Sequence, residues 1–289
     1  MFVSRMRGRL VALVTGATCV VACQPSDVAP PATSRVGDPQ RIVSLGPSTT
    51  EIVASLGLVA RMVARSRWDQ WPNAVRVVPE IGDAIRPNLE RIVAARPDVV
   101  VLYAGADNAS AVQALRRAGI PVLSLRIDTI EDFLHAVDTL GAVLGQRDKA
   151  DSIQGALRSR LRAVSARRNK GEAVRVFMPV WDAPLMTVGA GSFLNELVAI
   201  AGGQNIYHDR AAPSFSISLE DVIRRDPDVI LAGPKKAREI MRDPRWRALR
   251  AVRNGRVLSY DTTLVSQPST RLGEAAASLA TLLAPSVRR

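Results

Sequence analysis

A chain of 289 residues, 47% of them hydrophobic, is long enough for two lobes of ordinary domain size, and no internal apolar run approaches the roughly 20 residues that span a bilayer. Its two cysteines, Cys19 and Cys23, sit near the start, and its two histidines are His135 and His208, which excludes a disulfide scaffold and a thiolate or His-rich metal site in the folded part. The net charge of +12 comes mostly from arginines scattered among acids, without interleaved aromatics or a nucleic-acid motif, so it reads as a solvated basic surface.

The chain opens on a targeting pattern. Arg5, Arg7 and Arg9 precede an acid-free apolar stretch from Leu10 to Val21, so residues 1–22 read as a signal peptide. Val20-Val21-Ala22-Cys23 resembles a bacterial lipobox, which implies cleavage before Cys23 and lipidation of its thiol; a signal peptide cut further on is the alternative. Residues 23–40, rich in Pro, Ser and Ala, read as a flexible tether.

An N-terminal lobe is expected over 41–145. RIVSL reads as a strand, Gly46-Pro47 as a turn, and Ser48 to Glu51 as a capping box opening the next helix. ARMVARS (60–66) is a second strand, followed by a loop holding Trp68, Trp71 and Pro72. NLERIVAARPDVVVL (88–102) predicts a capped short helix, a Pro-Asp turn and a strand buried on both faces. A helix, the strand IPVLSL (120–125) and a helix over 130–144, with His135 half-buried on it, close the lobe. Residues 146–170, without proline, read as one connecting helix about 35 Å long.

The C-terminal lobe, 171–289, starts with AVRVFMPV (173–180), read as one strand running into Trp181. Gly189 and Gly191 lack the third glycine of a dinucleotide fingerprint, Leu194 standing in its place, and read as turn glycines before a Ser192-capped helix. A loop over 207–217 leads to SLEDVIRRDPDVILA (218–232), which repeats the 88–102 pattern 130 positions later. Helix, turn and strand follow to Asp261, then a loop and a last helix. Trp246, between helical arginines, reads as core.

Two copies of one helix-to-strand unit imply two similar α/β lobes. Glu90 and Glu220 occupy the second helical position of their copies. Each is either a carboxylate favoured by the helix dipole or one of a symmetric pair of contact points.

RIVSLGPSTTEIVASLG, the two repeat copies, the AGG of 201–203 with Gln204-Asn205, and QPSTRL (267–272) together resemble the substrate-binding proteins of bacterial ABC importers for cobalamin, haem and ferric siderophores. SRWDQWP brings the chain nearest to the vitamin B12-binding proteins among them. The resemblance implies an α/β fold of two Rossmann-like lobes joined by a single long rigid helix, with the ligand cleft between the lobes. It implies an exported, periplasmic, monomeric receptor that captures a cobalt corrinoid as cargo and delivers it to a permease dimer with its ATPase subunits. No catalytic group, resident cofactor, metal site or nucleic acid is expected, and membrane contact is through the Cys23 anchor alone.

Carried onto this sequence, Glu90 and Glu220 fall on the permease-docking glutamates, and Trp68, Tyr103 and Asp261 on cleft positions; Trp181 and Phe215 lie near such positions. Ser214-Phe215 replaces a family tryptophan, and Gly82-Asp83-Ala84 replaces another aromatic, which bears on the cargo. Haem or a ferric siderophore is the alternative cargo, and haem would want an axial Tyr or His, for which Tyr103, Tyr207 and His208 are the candidates. An enzyme on a two-lobed nucleotide or cluster fold lacks the glycine fingerprint, the cluster cysteines and an acid-base group.

Overall fold

In both lobes a four-stranded parallel sheet forms around the strand that the repeat feeds. The computed structural model describes residues 38–83, 85–167 and 171–284; the expected signal peptide, Cys23 and the tether to residue 37 lie outside the described residues. The first lobe runs β1 (Ile42–Leu45), α1 (Pro47–Ser55), β2 (Met62–Arg65), α2 (Leu89–Ala94), β3 (Val99–Tyr103), α3 (Ala109–Arg117), β4 (Val122–Leu125) and α4 (Ile130–Val143). Then α5 (Arg147–Ala166) crosses to the second lobe. That lobe runs β5 (Val174–Phe177), β6 (Pro179–Asp182), β7 (Leu185–Val188), α6 (Phe193–Ile200), β8 (Gly203–Asn205), β9 (Ser214–Ser216) and α7 (Leu219–Arg225). It ends with β10 (Val229–Ala232), α8 (Pro234–Arg242), α9 (Arg250–Arg253), β11 (Val257–Ser259), α10 (Thr262–Val265) and α11 (Leu272–Leu283).

The sheets are ordered β2-β1-β3-β4 and β8-β5-β10-β11, every pair parallel. Within each lobe this is second-first-third-fourth, so both reverse direction between their first and third strands, where open α/β sheets hold ligands. The repeat supplies the third strand both times. Asn88 and Ser218 cap their helices by accepting from the N–H of Arg91 and Asp221. Each Pro-Asp turn then fastens third strand to first. Asp98 Oδ2 accepts from Arg41 N at 2.9 Å, and Asp228 Oδ2 from Arg175 N at 3.0 Å. The recurring Asp is thus a strand clip.

One apolar core crosses both lobes. It takes Ile42, Val99 and Val101 from the first sheet, Val176, Val229 and Leu231 from the second, and Leu157 and Leu161 from α5 between them. At 20 residues, α5 extends about 30 Å. It is shorter than the expected 146–170: Arg167 closes it, and 168–170 lie outside the described residues.

Several local expectations are corrected. The Ser48–Glu51 capping box does not form; α1 starts earlier, with Gly46 as N-cap at φ 151, a conformation that favours glycine, and Pro47 at its first position. Asp38 pairs with Arg61 and Gln40, so residues 38–40, expected as the end of the tether, are held against the first lobe. The run 173–180 breaks at Met178, and Pro179 begins β6 of a separate antiparallel sheet, β6-β7-β9. That sheet also takes β9 out of the expected loop at 207–217. His135 is exposed on α4 rather than half-buried. As expected, Trp246 is core, stacked on Phe177.

Candidate functional site

The lobes meet through segments that leave the carboxyl ends of their strands. Glu51, one turn into α1 and 1% exposed, accepts from Thr270 N (3.1 Å), Thr270 Oγ1 (2.8 Å) and Arg271 Nη2 (3.4 Å). The Arg271 guanidinium also lies 4.4 Å from the centroid of the Trp71 ring. Beyond β4, the Asp128 carbonyl accepts from Phe193 N at 2.7 Å, and Glu196 on α6 accepts from Ile130 N at 2.6 Å. Burial raises the Glu196 carboxyl above its ordinary range. Both sheets therefore turn the carboxyl ends of their strands, where open α/β sheets hold ligands, toward one junction.

On the first lobe the aromatic loop is held from beneath. Asp69 is fully buried and accepts from Ser66 N (2.9 Å), Ser66 Oγ (2.8 Å) and Thr50 Oγ1 (2.9 Å). Burial raises its carboxyl against the lowering effect of those donors. Arg65, also buried, donates to the Val75 and Ser66 carbonyls. Fixed in this way, the loop leaves Trp68 59% exposed, its Nε1 donating to Asp83 Oδ2 at 3.3 Å, and Trp71 partly exposed. Tyr103 ends β3 with an exposed ring, and its hydroxyl donates to Asp128 Oδ1 at 2.7 Å. Burial and that carboxylate push Tyr103 up to about 12.

On the second lobe Trp181 is 63% exposed and lines a hollow of about 580 Å³. The hollow's other walls are Pro179 and Val180 after β5, Gly233 to Lys236 after β10, and Tyr260 and Thr262 after β11. It sits at the switch point of the second sheet and is walled by that lobe alone. Asp261 stands beside it, exposed. Its Oδ1 is committed to capping α10 through Thr263 Oγ1 (2.7 Å) and N (2.8 Å), which hold its carboxyl below the usual range.

Phe215 is placed differently. In the β6-β7-β9 sheet Trp181 pairs with Met186 and Phe215 with Thr187, so the two rings point to opposite faces. Phe215 is half-buried against Tyr207, with ring centroids 5.5 Å apart, and carries Arg210 over its face. Tyr207 is itself 1% exposed, which removes it from the open face of the site. His208 is exposed, its Nδ1 within 2.9 Å of the Asn205 carbonyl.

Glu90 and Glu220 are exposed at equivalent places, the second position of α2 and of α7. The Glu220 backbone N–H and the Ser218 hydroxyl hold the Glu220 carboxyl below its ordinary range. Gly189 and Gly191 serve packing: a Cβ on either would come within 2.4 Å of backbone oxygens in the segment 210–212. Among the described residues no His/Cys/Asp/Glu cluster could hold a metal ion, and no helix is long and apolar enough to cross a membrane.

The periplasmic binding protein family matches residues 42–264, which contain both sheets and every aromatic of the site. The chain belongs to that family. It is 28% identical over 237 residues to the vitamin B12-binding protein of Vibrio parahaemolyticus, covering 80% of this chain and 85% of that one. To the uncharacterised ABC transporter substrate-binding lipoprotein YvrC of Bacillus subtilis it is 29% identical over 256 residues, 86% of this chain and 81% of the relative. Among solved structures, a periplasmic haem-binding protein from Pseudomonas aeruginosa superposes with TM-score 0.76 at 26% identity, covering 86% and 94% of the two chains. The periplasmic vitamin B12-binding protein of Vibrio cholerae does so with TM-score 0.75 at 23% identity, covering 85% and 97%.

Within this periplasmic binding protein, sequence reasoning missed Asp69, Asp128 and the junction role of Glu51. Asp69 had a local signal, an acid between two tryptophans in an otherwise loop-like stretch. Asp128 and Glu51 had none, because Tyr103 lies 25 positions from Asp128 and Thr270 lies 219 from Glu51.

Proposed function

We propose that the chain is the substrate-binding component of an ABC importer, that it captures cobalamin or a related corrinoid between its lobes, and that it hands the cargo to a membrane permease. The observation that carries this reading is the placement of the exposed aromatics. Trp68 follows β2 and Tyr103 is the last residue of β3 in one lobe, while Trp181 lies on β6, beyond the end of β5, in the other, on a chain with few aromatics. A large planar ligand needs apolar faces to stack on and a few polar groups to orient it. Asp83, Asp128, Lys236 and Asp261 supply polar groups beside those faces. The Vibrio relatives are named for vitamin B12, which supports the same cargo.

Haem is the second reading, favoured by the Pseudomonas aeruginosa likeness. Against it, the Tyr103 hydroxyl is engaged by Asp128 and resists forming a phenolate, and Tyr207 is buried. A corrinoid that carries its own axial nitrogen makes no such demand on the protein. Visible difference spectra on adding cyanocobalamin or hemin separate the two. A saturable change with cyanocobalamin supports the corrinoid, and a Soret shift with hemin alone reverses the choice.

Glu90 and Glu220 are the docking points in this reading, one per lobe, each meeting an arginine of a permease subunit. Export through the N-terminal segment and lipidation at Cys23 complete it, supported by the lipoprotein name of the Bacillus relative.

A further inference from the structure

More than half of the chain's net charge lies in one segment. Between β10 and β11, residues 233–256 carry nine basic residues and two acids, a net +7, which leaves +5 for the other 265 residues. The equivalent segment of the first lobe, 104–121 between β3 and β4, carries Arg116, Arg117 and Asp107, a net +1. Since the two lobes share one topology, the fold does not require the charge.

The segment covers the outer face of the second sheet. Ala237 and Ile240 of α8, with Trp246, Leu249 and Ala251, pack beneath against Ile230 and Ala232. Some of its cations are spent locally: Arg245 pairs with Asp243, Arg250 with Asp226 and Asp228, and Lys236 with Asp182. The exposed side chains of Arg238, Arg242 and Arg247 have no ion pair or hydrogen bond among the described residues. On α8, Arg238 and Arg242 flank Met241, which is 56% exposed, at the i, i+3, i+4 spacing that shares one helix face.

We infer that this outer face of the second lobe docks on an acidic phospholipid surface, through Arg238, Arg242 and Arg247 with Met241 among them. Unpaired guanidinium groups beside an exposed apolar side chain match anionic headgroups above acyl chains. Single-stranded nucleic acid fits less well, because it calls for stacking rings and the one aromatic here, Trp246, is buried. The inference does not depend on which cargo the cleft holds.

The test uses the full chain carrying Cys23→Ala, co-sedimented with vesicles of phosphatidylcholine alone or mixed equally with phosphatidylglycerol. Each basic residue at an acidic surface strengthens binding about fivefold. The triple variant Arg238→Gln, Arg242→Gln, Arg247→Gln should therefore bind the acidic vesicles on the order of 100-fold more weakly at low salt. A control triple, Arg117→Gln, Arg147→Gln, Arg162→Gln, removes the same charge from other exposed sites and should bind nearly as the parent does. Because both triples keep the same N-terminal segment, its own membrane affinity cancels. The inference is overturned if the parent does not prefer acidic vesicles, or if the two triples weaken binding equally. It is also overturned if the first triple binds undiminished, or if the face ignores vesicles and binds an RNA oligonucleotide instead.

Discussion

Replacing Glu51 tests whether the two lobes are locked together at the α1 junction. Glu51→Ala removes a buried acceptor of three hydrogen bonds, two from Thr270 and one from Arg271, and leaves the Arg271 guanidinium, itself largely covered, without its carboxylate. Removing one partner of a buried ion pair costs about 3–5 kcal/mol. For a chain of this size that lowers Tm by roughly 6–20 °C. Glu51→Gln keeps the shape and one acceptor, and should cost only about 1–2 kcal/mol. Urea unfolding of the full chain, followed by circular dichroism, reads both. The decisive comparison is the double-mutant cycle with Arg271→Gln. A junction role predicts about 0.5–3 kcal/mol of coupling between residues 220 positions apart, whereas a local helix cap predicts none. Additive losses within about 0.3 kcal/mol would refute the junction.

Three further outcomes follow from the same geometry. All three tyrosines, Tyr103, Tyr207 and Tyr260, have hydroxyls raised above the usual value, so phenolate absorbance at pH 10 should be weaker in the folded protein than in the unfolded one and rise on unfolding. A raised folded pKa means that the native state keeps the proton; this stability is fully present below the unfolded value near 10 and, for Tyr103, is lost as pH rises through about 12. Glu90→Ala with Glu220→Ala should abolish the receptor's stimulation of ATP hydrolysis by the permease complex in proteoliposomes while cargo binding in solution is unchanged; normal stimulation would leave both residues as simple helix-dipole carboxylates. Cys23→Ala should move the exported protein from the membrane fraction to the soluble one at physiological salt, because a chain without acyl groups lacks the stronger of its membrane contacts.

How much was legible in the sequence depended on the range of the interaction. The repeat was readable because cap, short helix, Pro-Asp turn and apolar strand are fixed within 15 residues, and both copies fold alike. The break at Met178 was not, since a continuous apolar run looks the same whether it stays in one sheet or changes sheets. Only the pairing of Pro179 with Thr187 distinguishes the two. Glu51 was misread because Ser48-x-x-Glu51 satisfies a local pattern, while Gly46-Pro47 had already started the helix and the true partners are in the other lobe. For the site, the exposed aromatics stood out by their scarcity. The direction of the Phe215 ring depended on strand register, which three-residue strands do not announce.

Calorimetric titration of cyanocobalamin into the parent and into Trp68→Ala with Trp181→Ala tests cargo capture between the lobes most directly. One saturable site is expected in the parent. Each lost ring should weaken it by about 1–3 kcal/mol through lost burial and stacking, with Tm unchanged because both tryptophans are exposed. No heat of binding in the parent, or equal affinity in the double variant, would contradict a corrinoid held between the two lobes.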